Sequence, residues 1–387
     1  MKDFTFYAPT EVFYGWGKAA EAGDIIKKYG QKVLLVTGGG KSSLAMAARV
    51  KDILEKAGLT VTHFSEVKAN PTTDIVTKGA NLAKESYSQV IVGLGGGSAM
   101  DTAKAIAVEA VHPGTAWDYN CHTSGPTEKT LPIVEIGTTA GTGSQVTQCS
   151  VITKTEDKDK SAIWHRNIFP KAAIVDPELT KTMPPSVTAQ TGFDAFCHNF
   201  EAYLSVNTSP VVETLALEAI RIIVEYLPRA VHNGEDREAR CQMALADTLG
   251  GFTNSNAGVT LPHGLGMQVG GHCPQVTHGQ ALAAFYPAFT RYTCPAAEEK
   301  FAAVGRIFNP GLETERDEAA AWKCCEEIDK FLKEIGLWID YKSLGVTKED
   351  IREIADCGQV LGDYLNNPRV ASVDEMYELL LSCYQRS

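Results

Sequence analysis

Three stretches of this chain share one plan. KVLLVTGGG (Lys32–Gly40), QVIVGLGGGS (Gln89–Ser98) and LPIVEIGTTAGTGS (Leu131–Ser144) each run apolar and β-branched, then break into glycine. Helical patterns separate them at Ser43–Ala57, Asp74–Ser86 and Asp101–Val111, and LTVTHFSEV (Leu59–Val67) reads as a further strand. An uninterrupted apolar strand must be covered on both faces, which a parallel sheet with right-handed helical crossovers achieves. The alternation predicts an α/β domain whose glycine loops lie at the carboxyl ends of the strands, where such sheets bind ligands.

After about Pro185 the texture changes. Val211–Leu227 and Ala319–Leu337 carry helical periodicity, and strand-like runs become scarce. A chain of 387 residues also exceeds one ordinary core. The expectation is an α/β nucleotide-binding domain over residues 1–185 and an all-α domain over residues 186–387, without internal repeats.

The formal charge of −11, with no Lys/Arg patch, argues against nucleic acid and anionic membrane surfaces. The start MKDFTFYAPTEVFYG has no apolar signal core, and no run reaches the roughly 18 apolar residues of a membrane helix. The ten cysteines are scattered, without a CxxC, which predicts free thiols and a cytoplasmic protein.

The loop GLGGGSAMDTAK (Gly93–Lys104) sets Gly95, Gly96, Gly97 and Ser98 between a strand and a helix. Glycine lets backbone N–H groups approach a phosphate, and a helix N-terminus favours its charge. The spacing is neither GxGxxG nor a Walker A loop. Gly38–Ser43 (GGGKSS) offers a second such loop, and Thr138–Thr147 (TTAGTGSQVT) adds hydroxyls.

LPHGLGMQVGGHCPQVTHG (Leu261–Gly279) holds three of the nine histidines: His263, His272 and His278. A partner set stands upstream in TGFDAFCHNFEAY (Thr191–Tyr203), where Asp194 and His198, four apart, share a helix face. One carboxylate with imidazoles suits a borderline divalent ion, iron(II) or zinc.

GGGSAMDTAK, TTAGTGSQVT, IVDPELT (Ile174–Thr180), GFDAFCH and HGLG…HG, in that order, resemble the iron-containing (group III) alcohol dehydrogenases over nearly the whole chain. The resemblance implies a dinucleotide-binding N-terminal domain, a helical C-terminal domain and a metal in the cleft between them. It implies metal ligands at Asp194, His198, His263 and His278. It implies cofactor contacts at Gly95, Gly96, Gly97, Ser98, Asp101, Thr138, Thr139, Thr142, Ser144, Lys160 and Leu179. Many members carry a further histidine four positions after the first ligand histidine; Met267 stands there in this chain. His272 is then either a substitute proton relay or a cleft-wall residue. The spacing from His263 to His278 is one residue longer than in several relatives, which keeps His272 as the fallback ligand.

The activity implied is metal-dependent, NAD(P)-linked hydride transfer between the nicotinamide and a small primary alcohol or aldehyde. Relatives that prefer NAD carry an acidic residue near Gly38; here Gly38, Gly39, Lys41 and Ser42 raise no bar to a 2′-phosphate, which leans the expectation to NADP(H). Cys149 and Asn254, with Met267, fall where relatives line the substrate pocket. Two small polar groups there point to a polar substrate such as a diol or sulfoacetaldehyde, against the plainer reading of a short aliphatic alcohol. The alternatives are a glycerol dehydrogenase-like zinc enzyme, a dehydroquinate synthase relative and a non-catalytic nucleotide- or metal-binding protein. Family members commonly assemble as homodimers or larger homo-oligomers.

Overall fold

The structure, a computed structural model, describes residues 3–121, 123 and 125–386. The chain divides into two compact units, Ala8–Thr182 and Met183–Ser387, the latter joined by the segment Met1–Tyr7.

The first unit is built on β1 (Glu11–Tyr14), β2 (Lys32–Gly38), β3 (Thr60–Val67), β4 (Val90–Gly95), β5 (Ile133–Gly137), β6 (Cys149–Lys154), β7 (Asp159–Trp164) and β8 (Ala172–Val175). Six of these form one parallel sheet in the order β1-β8-β5-β4-β2-β3. The short helix α1 (Ala22–Ile26) and α2 (Lys41–Lys56) pack on one face, where Val33, Leu35, Val92, Ile136 and Ile174 are buried. Helices α3 (Thr73–Glu85) and α4 (Gly97–Glu109) cover the other face over Leu34, Val36, Ile91 and Ile133. Alternate residues of the same strand thus enter two cores, which is why these strands read as unbroken apolar runs.

The strand order reverses at β2. From β2 the chain steps outward to β3, then returns to the other side of β2 as β4. The loops leaving β2 and β4 therefore part in opposite directions and open a crevice between them, the switch point at which open α/β sheets hold ligands. GGGKSS leaves β2 there and GGGS leaves β4.

β6 and β7 form a separate antiparallel hairpin. It lies against α4: Val151 N–H donates to the Asp101 carboxylate at 3.0 Å, and the Ser150 hydroxyl to the Asp101 carbonyl at 2.7 Å.

The second unit is helical: α5 (Pro185–Leu204), α6 (Pro210–His232), α7 (Arg237–Ala257), α8 (Leu261–His272), α9 (His278–Thr293), α10 (Glu298–Phe308), α11 (Asp317–Glu334), α12 (Lys348–Asp356) and α13 (Val373–Ser382). α5 is buried nearly all round, as a central helix must be when its apolar residues are not confined to one stripe. Phe193, Phe196 and Phe200 form its aromatic side with Tyr286 of α9, ring centroids 5.1–6.5 Å apart. Asp194, His198 and Glu201 interrupt that apolar helix, and each is buried. None of the described helices is long and apolar enough to cross a membrane.

Candidate metal centre and dinucleotide cradle

Buried charge in an apolar helix is costly unless it is paired or holds an ion. Asp194 is paired on three sides. Its Oδ1 lies 3.4 Å from His263 Nε2, 3.7 Å from His278 Nε2 and 3.7 Å from His198 Nδ1. Burial opposes ionisation of this carboxyl, but the facing imidazoles outweigh it and bring its pKa to about 2. Burial likewise disfavours charge on His263; Glu201 and Asp194 overcome that and raise its pKa to about 10.

Three helices supply these groups. Asp194 and His198 lie one turn apart on α5, His263 is in the first turn of α8, and His278 is the first residue of α9. Thr277 and Gln280 close a reciprocal capping box around the start of α9, which fixes the backbone that carries His278. Gly279 explains the glycine beside that histidine: a Cβ there would stand 2.5 Å from the Gln190 carbonyl oxygen of α5. Only glycine lets the two helices meet closely enough to bring His278 to Asp194.

Donor atoms of Asp194, His263 and His278 all fall within 4.8 Å of one another. His198 lies outside that mutually close set, though its ring packs on His263 at 4.4 Å between centroids. Asp194 Oδ1 and His263 Nε2 are buried, and neither has a hydrogen-bond partner. Ligand atoms held at about 2.1 Å around one tetrahedral ion stand ~3.4 Å apart, close to the separations found here. Carboxylate oxygen with imidazole nitrogen is a donor set for a borderline divalent ion, so these residues fit iron(II) or zinc.

Sequence reasoning missed Glu201, the third polar residue on the same face of α5. Its Oε1 lies 2.8 Å from His263 Nδ1. Its Oε2 accepts from Thr260 N–H at 2.8 Å and from the Thr260 hydroxyl at 3.3 Å. The signal was present as D-x-x-x-H-x-x-E, since positions i, i+4 and i+7 share one helical face.

His272 is not among the close donor set of Asp194, His263 and His278. It ends α8 nine residues after His263, and at 3.6 residues per turn that is roughly 180° around the helix. Its Nε2 instead lies 3.9 Å from Glu353 Oε2, and its Nδ1 is bonded to the Gln268 carbonyl at 3.0 Å. Met267, one turn after His263, is buried, as is Asn254 of α7, whose Oδ1 has no hydrogen-bond partner. Cys149, which opens β6, is half-buried, and its carbonyl accepts from Lys104.

In the N-terminal unit, two predicted loops abut. Thr138 N–H donates to the Gly95 carbonyl at 2.9 Å. A Cβ on Gly97 would lie 2.7 Å from the Thr142 side chain, and one on Gly96 3.1 Å from the Thr139 hydroxyl. Gly96 caps α4 in extended conformation, so the first N–H groups of the helix face the crevice mouth without partners within the helix. Ser98, Thr138, Thr139 and Thr142 stay partly exposed around that mouth.

Asp101 and Ser144 are engaged with each other: the Ser144 hydroxyl donates to Asp101 Oδ1 at 2.6 Å. Beneath them the fully buried Lys104 ammonium donates to the Ser144 carbonyl (2.6 Å) and hydroxyl (2.9 Å), Thr147 Oγ1 (3.1 Å) and the Cys149 carbonyl (2.7 Å). Lys160 donates to Asn70 Oδ1 at 2.9 Å, and Asn70 holds a left-handed φ of 52° just after β3. The Leu179 side chain is wholly buried in the core with Ile136 and Ile174. Gly38, Gly39 and Gly40 lead into α2, whose first turn, with Lys41 and Ser42 exposed, holds no acidic residue.

Comparison with known proteins shows the family of both halves. Residues 9–177 match the family model described as iron-containing alcohol dehydrogenase, and residues 188–384 match that of the Fe-containing alcohol dehydrogenase family, C-terminal. The NAD-dependent methanol dehydrogenase of Bacillus methanolicus is 34% identical over 382 residues, covering 97% of this chain and 98% of that protein. The 1,3-propanediol dehydrogenase of Citrobacter freundii is 33% identical over 384 residues, covering 98% and 99%. A solved archaeal alcohol dehydrogenase from a Red Sea brine pool superposes with a TM-score of 0.94 at 34% identity, covering 99% of this chain and all of that one.

Proposed function

The chain belongs to the iron-containing alcohol dehydrogenases, and from that membership we propose that it interconverts a small polar primary alcohol and its aldehyde, using a divalent metal and a nicotinamide dinucleotide. The observation that carries the metal half of this reading is the pair of buried, unpartnered atoms Asp194 Oδ1 and His263 Nε2, 3.4 Å apart with His278 beside them. Asp194, His263 and His278 would hold the ion, with His198 as the fourth ligand from the helix that carries Asp194. The donor set suits iron(II), the metal of the family's name, and zinc. Such an ion, when bound, makes an alcohol hydroxyl more acidic and an aldehyde carbonyl more electrophilic, and the nicotinamide accepts or gives the hydride.

The chain's own part is alignment and charge. The Gly95–Ser98 loop and the start of α4 receive the pyrophosphate, with Thr138, Thr139 and Thr142 as hydroxyl donors. Lys160 and Asn70 hold a ribose. Asp101, Ser144 and Lys104 act through the shape of the loop, since their polar atoms already meet one another. Met267 places a side chain that cannot titrate one turn beyond His263, so the chain offers no imidazole there as a proton relay.

Asn254 supports a polar substrate. Its buried Oδ1 lacks a partner and suits a second hydroxyl or another donor on a small molecule, as in a diol. NADH-linked reduction of short aldehydes, assayed by absorbance with neutral, hydroxylated and anionic members side by side, tests this reading. It predicts that hydroxylated or otherwise polar aldehydes outrun their alkyl analogues. Faster turnover of the alkyl series would reject it.

For the cofactor, we infer that both forms are accepted. A relative of 34% identity is NAD-dependent, whereas the acid-free start of α2 leaves room for a 2′-phosphate beside Lys41 and Ser42. Gly38→Asp sets a carboxylate at that turn. Its Cβ would stand 3.3 Å from the Ser43 hydroxyl, a contact that a small shift relieves. A like charge beside the phosphate should raise KM for NADPH by at least ~10-fold and leave that for NADH within about twofold. Equal effects on the two cofactors would place the 2′ position elsewhere.

A further inference from the structure

The buried face of α5 carries one more carboxylate than a metal site needs, and Glu201 is bonded as though it belonged to that site. It is fully buried, at 0% exposure, in the middle of the helical unit. One oxygen faces His263 Nδ1 at 2.8 Å, and the other takes both Thr260 donors, N–H at 2.8 Å and hydroxyl at 3.3 Å. Every strong contact of this side chain thus goes to the turn that begins α8 and carries His263.

We propose that Glu201 is a positioning residue that sets the tautomer and orientation of His263 for metal binding, with Thr260 locking the carboxylate in place. The inference rests on the metal reading given above and deepens it.

The physical argument begins with the imidazole. A neutral ring has one N–H and one lone pair, and only the lone pair binds a metal. A carboxylate accepts and does not donate, so its bond to Nδ1 keeps a hydrogen there, and when the ring gives up its other proton to take a metal it is the Nε2 lone pair that is freed. Nε2 is the atom that faces Asp194 Oδ1. The same bond prevents the ring from flipping, which would exchange the two nitrogens. Negative charge behind the ring also raises its basicity toward a cation. Thr260 matters because a carboxylate with only one partner could rotate away from the histidine; here the second oxygen is anchored to backbone. Thr260 is itself fully buried, so water does not compete for that oxygen.

The sequence spacing follows from this role. Asp194 and Glu201 are seven apart and project from one face of α5, two turns separated. His263 bridges them, with Nε2 toward Asp194 and Nδ1 toward Glu201.

The test is metal affinity, read without turnover. Stripped wild-type protein and Glu201→Gln are titrated anaerobically with cobalt(II), whose visible absorption also reports coordination. Glu201→Gln keeps the size but loses the charge and one of the two acceptor oxygens. Its affinity should fall ~10–100-fold, the usual cost of removing such a partner, and its absorption band should shift. Thr260→Val removes the hydroxyl bond and keeps the N–H bond, so its loss should be smaller than that of Glu201→Gln. Affinity and spectrum unchanged in a folded Glu201→Gln would overturn the proposal and leave the metal reading intact. Wild-type protein that takes up no cobalt would overturn both.

Should Glu201→Gln fail to fold, a second measurement decides on the wild type alone. Nitrogen-15 spectra of histidine-labelled, zinc-loaded protein should show His263 with hydrogen on Nδ1. Hydrogen on Nε2 would overturn the assignment.

Discussion

Asp194→Ala abolishes turnover and lowers metal affinity by well over ~100-fold, more than any outer partner of a metal ligand contributes. The carboxylate is the one group that meets all three neighbouring imidazoles, at 3.4, 3.7 and 3.7 Å. Its loss removes the carboxylate that faces His263 Nε2 and His278 Nε2, and a dication loses the charge that offsets its desolvation. Calorimetric titration with zinc and an NADH-linked assay read the two effects. A variant that bound zinc within tenfold of wild type would show that Asp194 serves the helix packing and not the ion.

The same residue gives the metal-free protein a signed pH dependence. The Asp194 carboxyl falls from 3.8 to about 2 in the folded chain, so its contribution is fully present above 3.8 and is lost as pH drops toward 2. His263 rises from 6.5 to about 10, so its contribution is full below 6.5 and fades as pH climbs toward 10. Metal-free wild-type protein should therefore show its highest thermal midpoint between these limits, from about 3.8 to 6.5. In Asp194→Ala the fall above 6.5 should flatten, because His263 then loses one of the two carboxylates that raise its pKa.

Lys104→Met carries the other large effect. One fully buried ammonium makes four hydrogen bonds to the Ser144–Cys149 segment and neighbours the Asp101 carboxylate at 3.9 Å. Burial opposes its charge and holds its pKa below the usual lysine range, whereas Asp101 and Glu135 counter that shift. Methionine fills the volume and satisfies none of the acceptors. Breaking a buried charge pair costs about 3–5 kcal/mol, which for a unit of this size is roughly 6–20 °C in the unfolding midpoint. The loop so released carries Thr142 against Gly97, so KM for the dinucleotide should rise ~10-fold or more, from a displacement of under an ångström. Scanning calorimetry and cofactor KM are the readouts, and an unchanged midpoint would show that the ammonium is replaceable.

The parallel sheet was legible because its strands are buried on both faces, and burial writes itself as unbroken runs such as KVLLV and VIVGL. The hairpin Cys149–Trp164 was not. Its strands are short, and its turn, TEDK (Thr155–Lys158), reads as surface loop. The helix-borne pair Asp194 and His198 is a weak signal by spacing alone and gains weight only from HGLG…THG downstream. Glu201 was passed over because a glutamate on a helix is ordinarily solvated, and only burial tells this one apart. For His272, closeness in sequence to His263 left its place open, and half a helical rotation separates the two. The long spacing from His263 to His278 is absorbed where α8 ends and α9 begins, at residues 273–277. Asp101 and Ser144 belong to the cofactor loop by sequence, but their atoms are spent on holding it.

The most direct test of the account is the NADH-linked aldehyde reduction of protein stripped of metal and then reconstituted stepwise with iron(II) under anaerobic conditions. The account predicts no turnover in the stripped protein and a linear return that saturates at about one equivalent per chain, as a single Lewis-acid site requires. Full turnover in the stripped protein would contradict it.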